Sequence, residues 1–501
     1  MNRDALKTSI QLLRHRKEIL QLRKERLQQE LESLDLDLRS QEAEYSRLVN
    51  DDAVVYRLPN ELWTHIFIMC TKTTTTVWPI ISYRTSAAVL PFQVIASHVS
   101  HRWRDIALGT PLLWNNIAFN VRSLKHINGC LISQLEAHLE RSGSCFLDIV
   151  LEFRMFGDLT PYCQILAEHS RRWRRLSILT EFDEVDEIRE MLCSVEVPIL
   201  EHLSLNLGRP EADSLSPRQQ FPCVTPSILA SCPLSLSFVR LAGQALGNLH
   251  PPISSVTTLH LDGWTRHYMT HDQFKAILKE APLLINLSFN QLFLHHSRDP
   301  LAIAEPTVLP CLRALRIRGP SSPVSRFMSL LDMPQLECLT LECVETFDSQ
   351  VMETVRSLIL DGCAFNEQEI SKLIRSFPYL SDLNIDELLP DIFYLLLPGT
   401  KIIPGGKSTE KQSLAWPQLQ IIAIRDLQSV DVPYFCNMVF NRQTGGSSPL
   451  RRILLNRRSR TVLRAKQRLE WLQENVVVEN SDIHPTWSIG LQYEDAHDLV
   501  E

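Results

Sequence analysis

The stretch that decides the fold is "PQLECLTL" at Pro334–Leu341, because the chain writes it repeatedly. "PILEHLSL" begins at Pro198, "PLLINLSF" at Pro282, "PCLRALRI" at Pro310, "PYLSDLNI" at Pro378 and "PQLQIIAI" at Pro417. Each copy is a proline, a variable residue and an apolar one, two more variable residues, then apolar–variable–apolar. Proline-free versions lie between and around them: "WNNIAF" at Trp114, "WRRLSI" at Trp173, "LSFVRL" at Leu236, "VTTLHL" at Val256, "VRSLIL" at Val355 and "LRRILL" at Leu450. Alternation at the end of each copy predicts a strand, since successive strand side chains point to opposite faces. Segments such as "HDQFKAILKEAP" and "EQEISKLIRSFP", which run into the next proline, have the apolar spacing of helices.

A strand and a helix about every 25 residues form a unit too small to bury its own apolar edge, so neighbours must stack. The pattern resembles the leucine-rich repeat over about Trp114–Leu455. The resemblance implies an α/β solenoid, a leucine-rich-repeat-like horseshoe, here spanning 115–456. The asparagine that usually follows the leucines is missing, with Gly208 after "LSL" and Pro320 after "LRI". Irregular repeats with uneven loops are therefore expected. "TVLRAKQRLEWLQENV" from Thr461 predicts one amphipathic helix (Leu463, Leu469, Leu472, Val476) capping the last repeat. With the acidic tail "YEDAHDLVE" it makes up 457–501.

The first fifty residues read as one long helix. Leucine recurs at Leu6, Leu13, Leu20, Leu27 and Leu34, and again at Leu48 after Gln41. Four residues after these come Ile10, Lys17, Lys24, Leu31, Leu38 and Tyr45. A sustained seven-residue repeat predicts a coiled-coil seam, roughly 65 Å long at about 1.5 Å per residue. Residues 1–26 hold eight Lys/Arg and three Asp/Glu, whereas 27–52 hold two and eight. Parallel neighbours would set like charge beside like, so an antiparallel partner is expected, in cis or in trans, with Lys17 and Lys24 weakening any self-association. A basic-zipper reading fails because only five residues precede Leu6.

Between helix and repeats stands "LPNELWTHIFIMC" (Leu58–Cys70). Pro59 suits the first turn of a helix, and Leu62, Ile66 and Cys70 follow at four-residue steps, widened by Phe67 and Met69. "TKTTTTVWP" (Thr71–Pro79) reads as a loop. Helix then resumes around Val94, with Ile95, Val99, Trp103 and Ile106 on one face, and stops at Thr110-Pro111. Such short helices cannot make an independent core without the rest of the chain or a partner.

"LPNELWTHIF", "HVSHRWRDIA" and "TPLLW" together resemble the F-box, over roughly 53–114. Leu58, Pro59, Glu61, Leu62, Ile66 and Phe67 match its first part, Val99, Trp103, Arg104 and Ile106 its second, and Leu113-Trp114 its close. Ser100 stands where the family usually has cysteine, and the gap between the two parts is about ten residues longer, as fungal members often show. The resemblance implies binding to the Skp adaptor of cullin–RING ubiquitin ligases, with an unknown protein substrate held by the repeats. It puts Leu58, Pro59, Leu62, Ile66 and Phe67 in the adaptor groove, with Val99 and Trp103 locking the second helix against it. No enzymatic activity of its own and no cofactor are then expected. The alternatives are a scaffold that never joins a ligase, and a nucleotide-dependent enzyme built around Lys407.

Composition sets the outer bounds. A net charge of −7 gives no footprint for nucleic acid or an anionic membrane. The polar start "MNRDALKTSI" lacks the apolar core of a signal peptide, and no apolar run approaches the ~20 residues of a membrane span. A soluble intracellular protein of the cytoplasm or nucleus is expected. The twelve cysteines form no CxxC pair and sit mostly in apolar stretches, which predicts reduced core thiols rather than zinc ligands. The sequon at Asn286 is then silent. "PGGKST" (Pro404–Thr409) fails the phosphate-loop spacing, since Lys401 stands where the first glycine belongs. "RRWRR" (Arg171–Arg175) and "RRILLNRRSR" (Arg451–Arg460) read as solvated faces, and His295-His296 has no ligand partner at metal spacing.

Overall fold

The computed structural model describes residues 3–52, 57–73, 91–121, 128–153, 159–180, 185–207, 228–229, 235–263, 268–290, 293–295, 305–319, 324–348, 350–387, 392, 396, 415–444 and 449–480. Gly208, Pro320, most of Thr71–Pro79, the "PGGKST" segment with Lys407, His296 and the acidic tail lie outside them.

The strands are β1 (Asn116–Val121), β2 (Leu147–Phe153), β3 (Trp173–Thr180), β4 (His202–Leu207), β5 (Phe238–Gly243), β6 (Thr258–Asp262), β7 (Tyr268–Thr270), β8 (Asn286–Asn290) and β9 (Phe293–His295). They continue with β10 (Thr307–Val308), β11 (Ala314–Arg318), β12 (Leu331–Asp332), β13 (Cys338–Glu342), β14 (Ser357–Asp361), β15 (Asp382–Glu387), β16 (Ile421–Asp426), β17 (Arg452–Leu455) and β18 (Val477–Asn480). Fourteen of them form one sheet whose spatial order is the order of the chain, with β7–β9 and β10–β12 as separate two-stranded pairs. Every pairing in the large sheet is parallel.

The repeated segment explains how each strand is entered. In all six proline copies the proline sits second in a tight turn, where its fixed φ is preorganised. The N–H two residues after the proline donates back to the carbonyl before it: Leu200 to Val197, Leu284 to Ala281, Leu312 to Leu309, Leu336 to Met333, Leu380 to Phe377 and Leu419 to Trp416. Each of these leucines is buried, so one apolar residue closes the turn and plugs the core. Two residues later the backbone joins the preceding strand, as when Cys338 N–H donates to Arg313 and Asp382 N–H to Arg356.

Register carries the pattern across the sheet. Leu287, Leu315, Leu339 and Leu358 stand side by side, and so do Phe289, Ile317, Leu341 and Leu360. These two apolar lines and the connecting segments form one continuous core from Ile117 to Val476. The opposite face is polar in the middle of the sheet, where Arg240, His260, Ser288, Arg316 and Thr340 lie along one register line. Its charges are matched across strands: Arg240 meets Asp262 at 2.6 Å and Arg316 meets Glu342 at 2.8 Å.

The helices are α1 (Arg3–Asp52), α2 (Asn60–Thr73), α3 (Phe92–Ser97), α4 (His101–Leu108), α5 (Asn128–Arg141), α6 (Thr160–Ala167) and α7 (Val185–Ser194). They continue with α8 (Gln244–Asn248), α9 (His271–Glu280), α10 (Val324–Leu330), α11 (Glu367–Ser376), α12 (Val432–Thr444), α13 (Arg457–Ala465) and α14 (Leu469–Asn475). From α5 onward they fill connections between strands. Local chemistry starts them: Thr270 and Gln273 make a reciprocal cap on α9, and the Asn366 carboxamide accepts from two backbone N–H groups of α11.

The structure differs from the sequence reading in several places. The segment from Thr461 is not one helix: Gln467 takes φ 54°, which ends α13, and α14 is followed by β18. The sheet therefore continues to Asn480, past residue 456. Cys193 and Cys343 are exposed, although Cys163 and Cys436 are buried as core thiols. "RRWRR" is partly used internally, because Arg174 grips Asp148 at 2.8 and 2.6 Å and Arg172 donates to the Cys145 carbonyl at 3.0 Å.

Candidate protein-docking surface

Three short helices and a 3-10 turn at Pro111–Leu113 build a small core separate from that of the sheet. Trp63, Phe67, Ala96, Ile106, Ala107, Leu113 and Trp114 are its buried members, with Leu58, Phe92 and Trp103 packed against them. The rings interlock: Trp63 lies 4.7 Å from Trp103, and Phe67 lies 5.0 Å from Trp103 and 5.6 Å from Phe92. The indole N–H groups of Trp63 and Trp103 are buried without a hydrogen-bond partner among the described residues, so packing alone holds these two rings.

Polar contacts fix the frame around it. Arg102 reaches from α4 to the start of α2, donating to Asn60 Oδ1 from Nε at 3.0 Å and from Nη2 at 2.9 Å, and to the Leu58 carbonyl. Arg104 Nε donates to the Ser97 carbonyl at 2.9 Å. Ser100 is extended (φ −157°, ψ 164°), and its hydroxyl accepts from the Trp103 N–H at 3.2 Å. That cap divides the region into α3 and α4, so the single face expected from Ile95 to Ile106 does not form. Ile95 and Val99 face outward, whereas Ile106 is buried.

The seven residues marked by the sequence fall into two groups. Leu62 is 51% exposed, Ile66 38% and Val99 55%, and Pro59 is also exposed. Leu58 and Trp103 are half-buried. Phe67 is 1% exposed and belongs to the interior of the module, so it supports a surface without lining one. Met69 (53%), Ile95 (46%) and Leu112 (53%) are exposed apolar side chains of the same module. Met69 was legible as the residue seven after Leu62, and Trp63 as the residue four before Phe67. Ile95 was legible as the residue four before Val99, whereas Leu112 carries no such signal.

The outcome is an α2 that is apolar on two sides. Trp63 and Phe67, four residues apart, point into the module, while Leu62, Ile66 and Met69, at helical spacing, point out. A surface helix needs only the first stripe.

Trp114 connects this module to the sheet. Its Nε1 donates to the Ala107 carbonyl at 2.8 Å, and its ring packs on His138 at 5.1 Å and under the Arg141 guanidinium at 4.6 Å, both from α5. Burial holds the His138 imidazole below its ordinary pKa, against an opposing hydrogen bond with the Gln134 carbonyl.

Elsewhere, an open hollow of about 590 Å³ is bordered by Met328, Met333, Asp348 and Val351. Among the described residues no group of three His, Cys, Asp or Glu side chains is placed to hold a metal ion, and no helix is long and apolar enough to cross a membrane. Compared with protein-family models and with curated proteins, the chain matches none.

Proposed function

We propose that the chain is a substrate-recognition subunit of a Skp–cullin–F-box ubiquitin ligase. In this reading the helical module is an F-box and the parallel sheet with its connections is an irregular leucine-rich-repeat solenoid. The Skp adaptor docks on Leu58, Pro59, Leu62, Ile66 and Val99, and Met69 extends that surface. Phe67 and Trp103 hold the helices that present it. The observation that carries the reading is the second apolar stripe of α2, which the module's own core does not use. Buried apolar anchors at such interfaces typically cost ~2 kcal/mol or more when removed.

The departure at Ser100 is compatible with this role, because the serine caps α4. The protein target lies on the repeats, and the chemistry belongs to the ubiquitin-conjugating enzyme that the ligase brings near. The chain then acts by proximity, in the cytoplasm or nucleus, without a cofactor.

Titration of the full chain with purified Skp adaptor tests this, wild type beside Leu62→Glu/Ile66→Glu. Both side chains are exposed, so the variant should unfold at the wild-type denaturant midpoint while binding falls at least about a hundredfold. Absence of wild-type binding would leave a protein-interaction scaffold that never joins a ligase.

A further inference from the structure

We propose that α1 pairs with α1 of a second copy of this chain as an antiparallel coiled coil. Only α1 takes part in this pairing, so it is independent of adaptor binding.

The helix is unbroken for 50 residues, about 75 Å at 1.5 Å per residue. Every residue from 6 to 49 is exposed, including Leu13 (62%), Leu20 (57%), Leu27 (54%) and Leu34 (66%). An apolar seam of that length in water needs a partner helix of similar length. Among the described residues no other helix exceeds 14 residues, so they offer none of matching length. A second copy does.

Orientation follows from two sets of residues. In a parallel, in-register pair each core layer sets a residue against itself, which puts Lys17 on Lys17 and Lys24 on Lys24 of the second copy. The flanking positions then oppose Glu30 to Asp35 and Asp37 to Glu42, each a like-charge contact. Reversing one helix removes all four conflicts. With Leu13 set against Leu38 and Leu20 against Leu31 of the second copy, Lys17 meets Leu34 and Lys24 meets Leu27. The flanks then place Lys7 beside Glu42, Arg14 beside Asp35, Arg16 beside Asp37 and Arg23 beside Glu30. The two-fold axis makes each of these pairs twice. The basic first half and acidic second half of the helix thus complement each other only when one copy runs backwards.

Sedimentation equilibrium of the full chain tests association, with cysteine crosslinking for orientation. Wild type should form a dimer. Reversing Arg14→Glu/Arg16→Glu/Arg23→Glu should weaken it about tenfold or more, and adding Glu30→Arg/Asp35→Arg/Asp37→Arg to the same chain should restore it. Cys193 and Cys343 are exposed, so wild type sets the crosslinking background. Above it, mixing Leu13→Cys with Leu38→Cys chains should give the mixed disulfide, and Leu13→Cys alone should not. A monomer at every concentration overturns the pairing. So does a dimer unchanged by the reversal, and a Leu13→Cys self-crosslink overturns the orientation.

Discussion

The indole of Trp114 and the carbonyl of Ala107 are joined by a 2.8 Å hydrogen bond. The bond ties the end of α4 to the residue pair that leads into β1, and the same ring lies against α5 through His138 and Arg141. One side chain therefore belongs to the small helical core and touches the first connection of the sheet. Trp114→Phe keeps an aromatic ring but removes the indole donor, leaving the Ala107 carbonyl only the longer 3.4 Å bond from the Thr110 N–H, which should cost about 1 kcal/mol. Trp114→Ala also empties the site and should cost about 3–5 kcal/mol. Urea unfolding followed by near-ultraviolet circular dichroism reads both, and equal costs for the two variants would contradict the bridging role.

Ser100 is expected to matter as a cap and not as a filler. Ser100→Ala removes the acceptor for the Trp103 N–H and should cost about 1 kcal/mol, while Ser100→Asp should retain most of it. Amide hydrogen exchange at Trp103 is the direct measurement, with faster exchange in the alanine variant.

The pair Arg240–Asp262 is 4% and 7% exposed on its two side chains. Removing one partner strands a buried charge, so Arg240→Met should destabilise by about 3–5 kcal/mol. The double variant Arg240→Met/Asp262→Leu should recover much of that loss, because the charges leave together. A thermodynamic cycle built from the four chains' unfolding free energies checks this; additive losses would refute it.

Mild acid should weaken the fold through its buried histidines. Burial lowers the pKa of His138, His169 and His250 below the ordinary 6.5. Below pH 6.5 the unfolded chain takes up protons that the folded chain refuses, so stability falls with pH through that window. The urea midpoint should drop between about pH 7.5 and 5.5. A His250→Asn variant should show a shallower slope.

Most of the strand pattern was legible before the structure. The repeated segments account for every strand of the large sheet except β2 and β18. β2 escaped although "FLDIVL" keeps the spacing of the proline-free copies; it follows Gly143 at φ 53°, and Phe146 is exposed where the matching residue of those copies is buried. β18 was hidden behind the break at Gln467, a left-handed residue with no glycine to announce it. On α2 the residue types said that the helix was apolar but not which stripe faced in. Leu62 and Phe67 are equally apolar, and only the packing of Trp63 and Trp103 assigns Phe67 to the interior. Ile95 and Val99 came to the surface because α3 stops at Ser97 and the Ser100 hydroxyl starts a new helix, a break that periodicity does not register.

The sheet's strands follow one another in space as they do in sequence, and this fixes how the molecule yields to force. A chain pulled from its two ends loads the outermost strands β1 and β18 first, since each has a single neighbour in the sheet. Peeling one strand removes one unit and leaves the next as the new edge, with its turn and leucine plug intact. Extension under tension should thus proceed as a staircase of short steps from the ends inward, where a sheet of interleaved strands would give way at once.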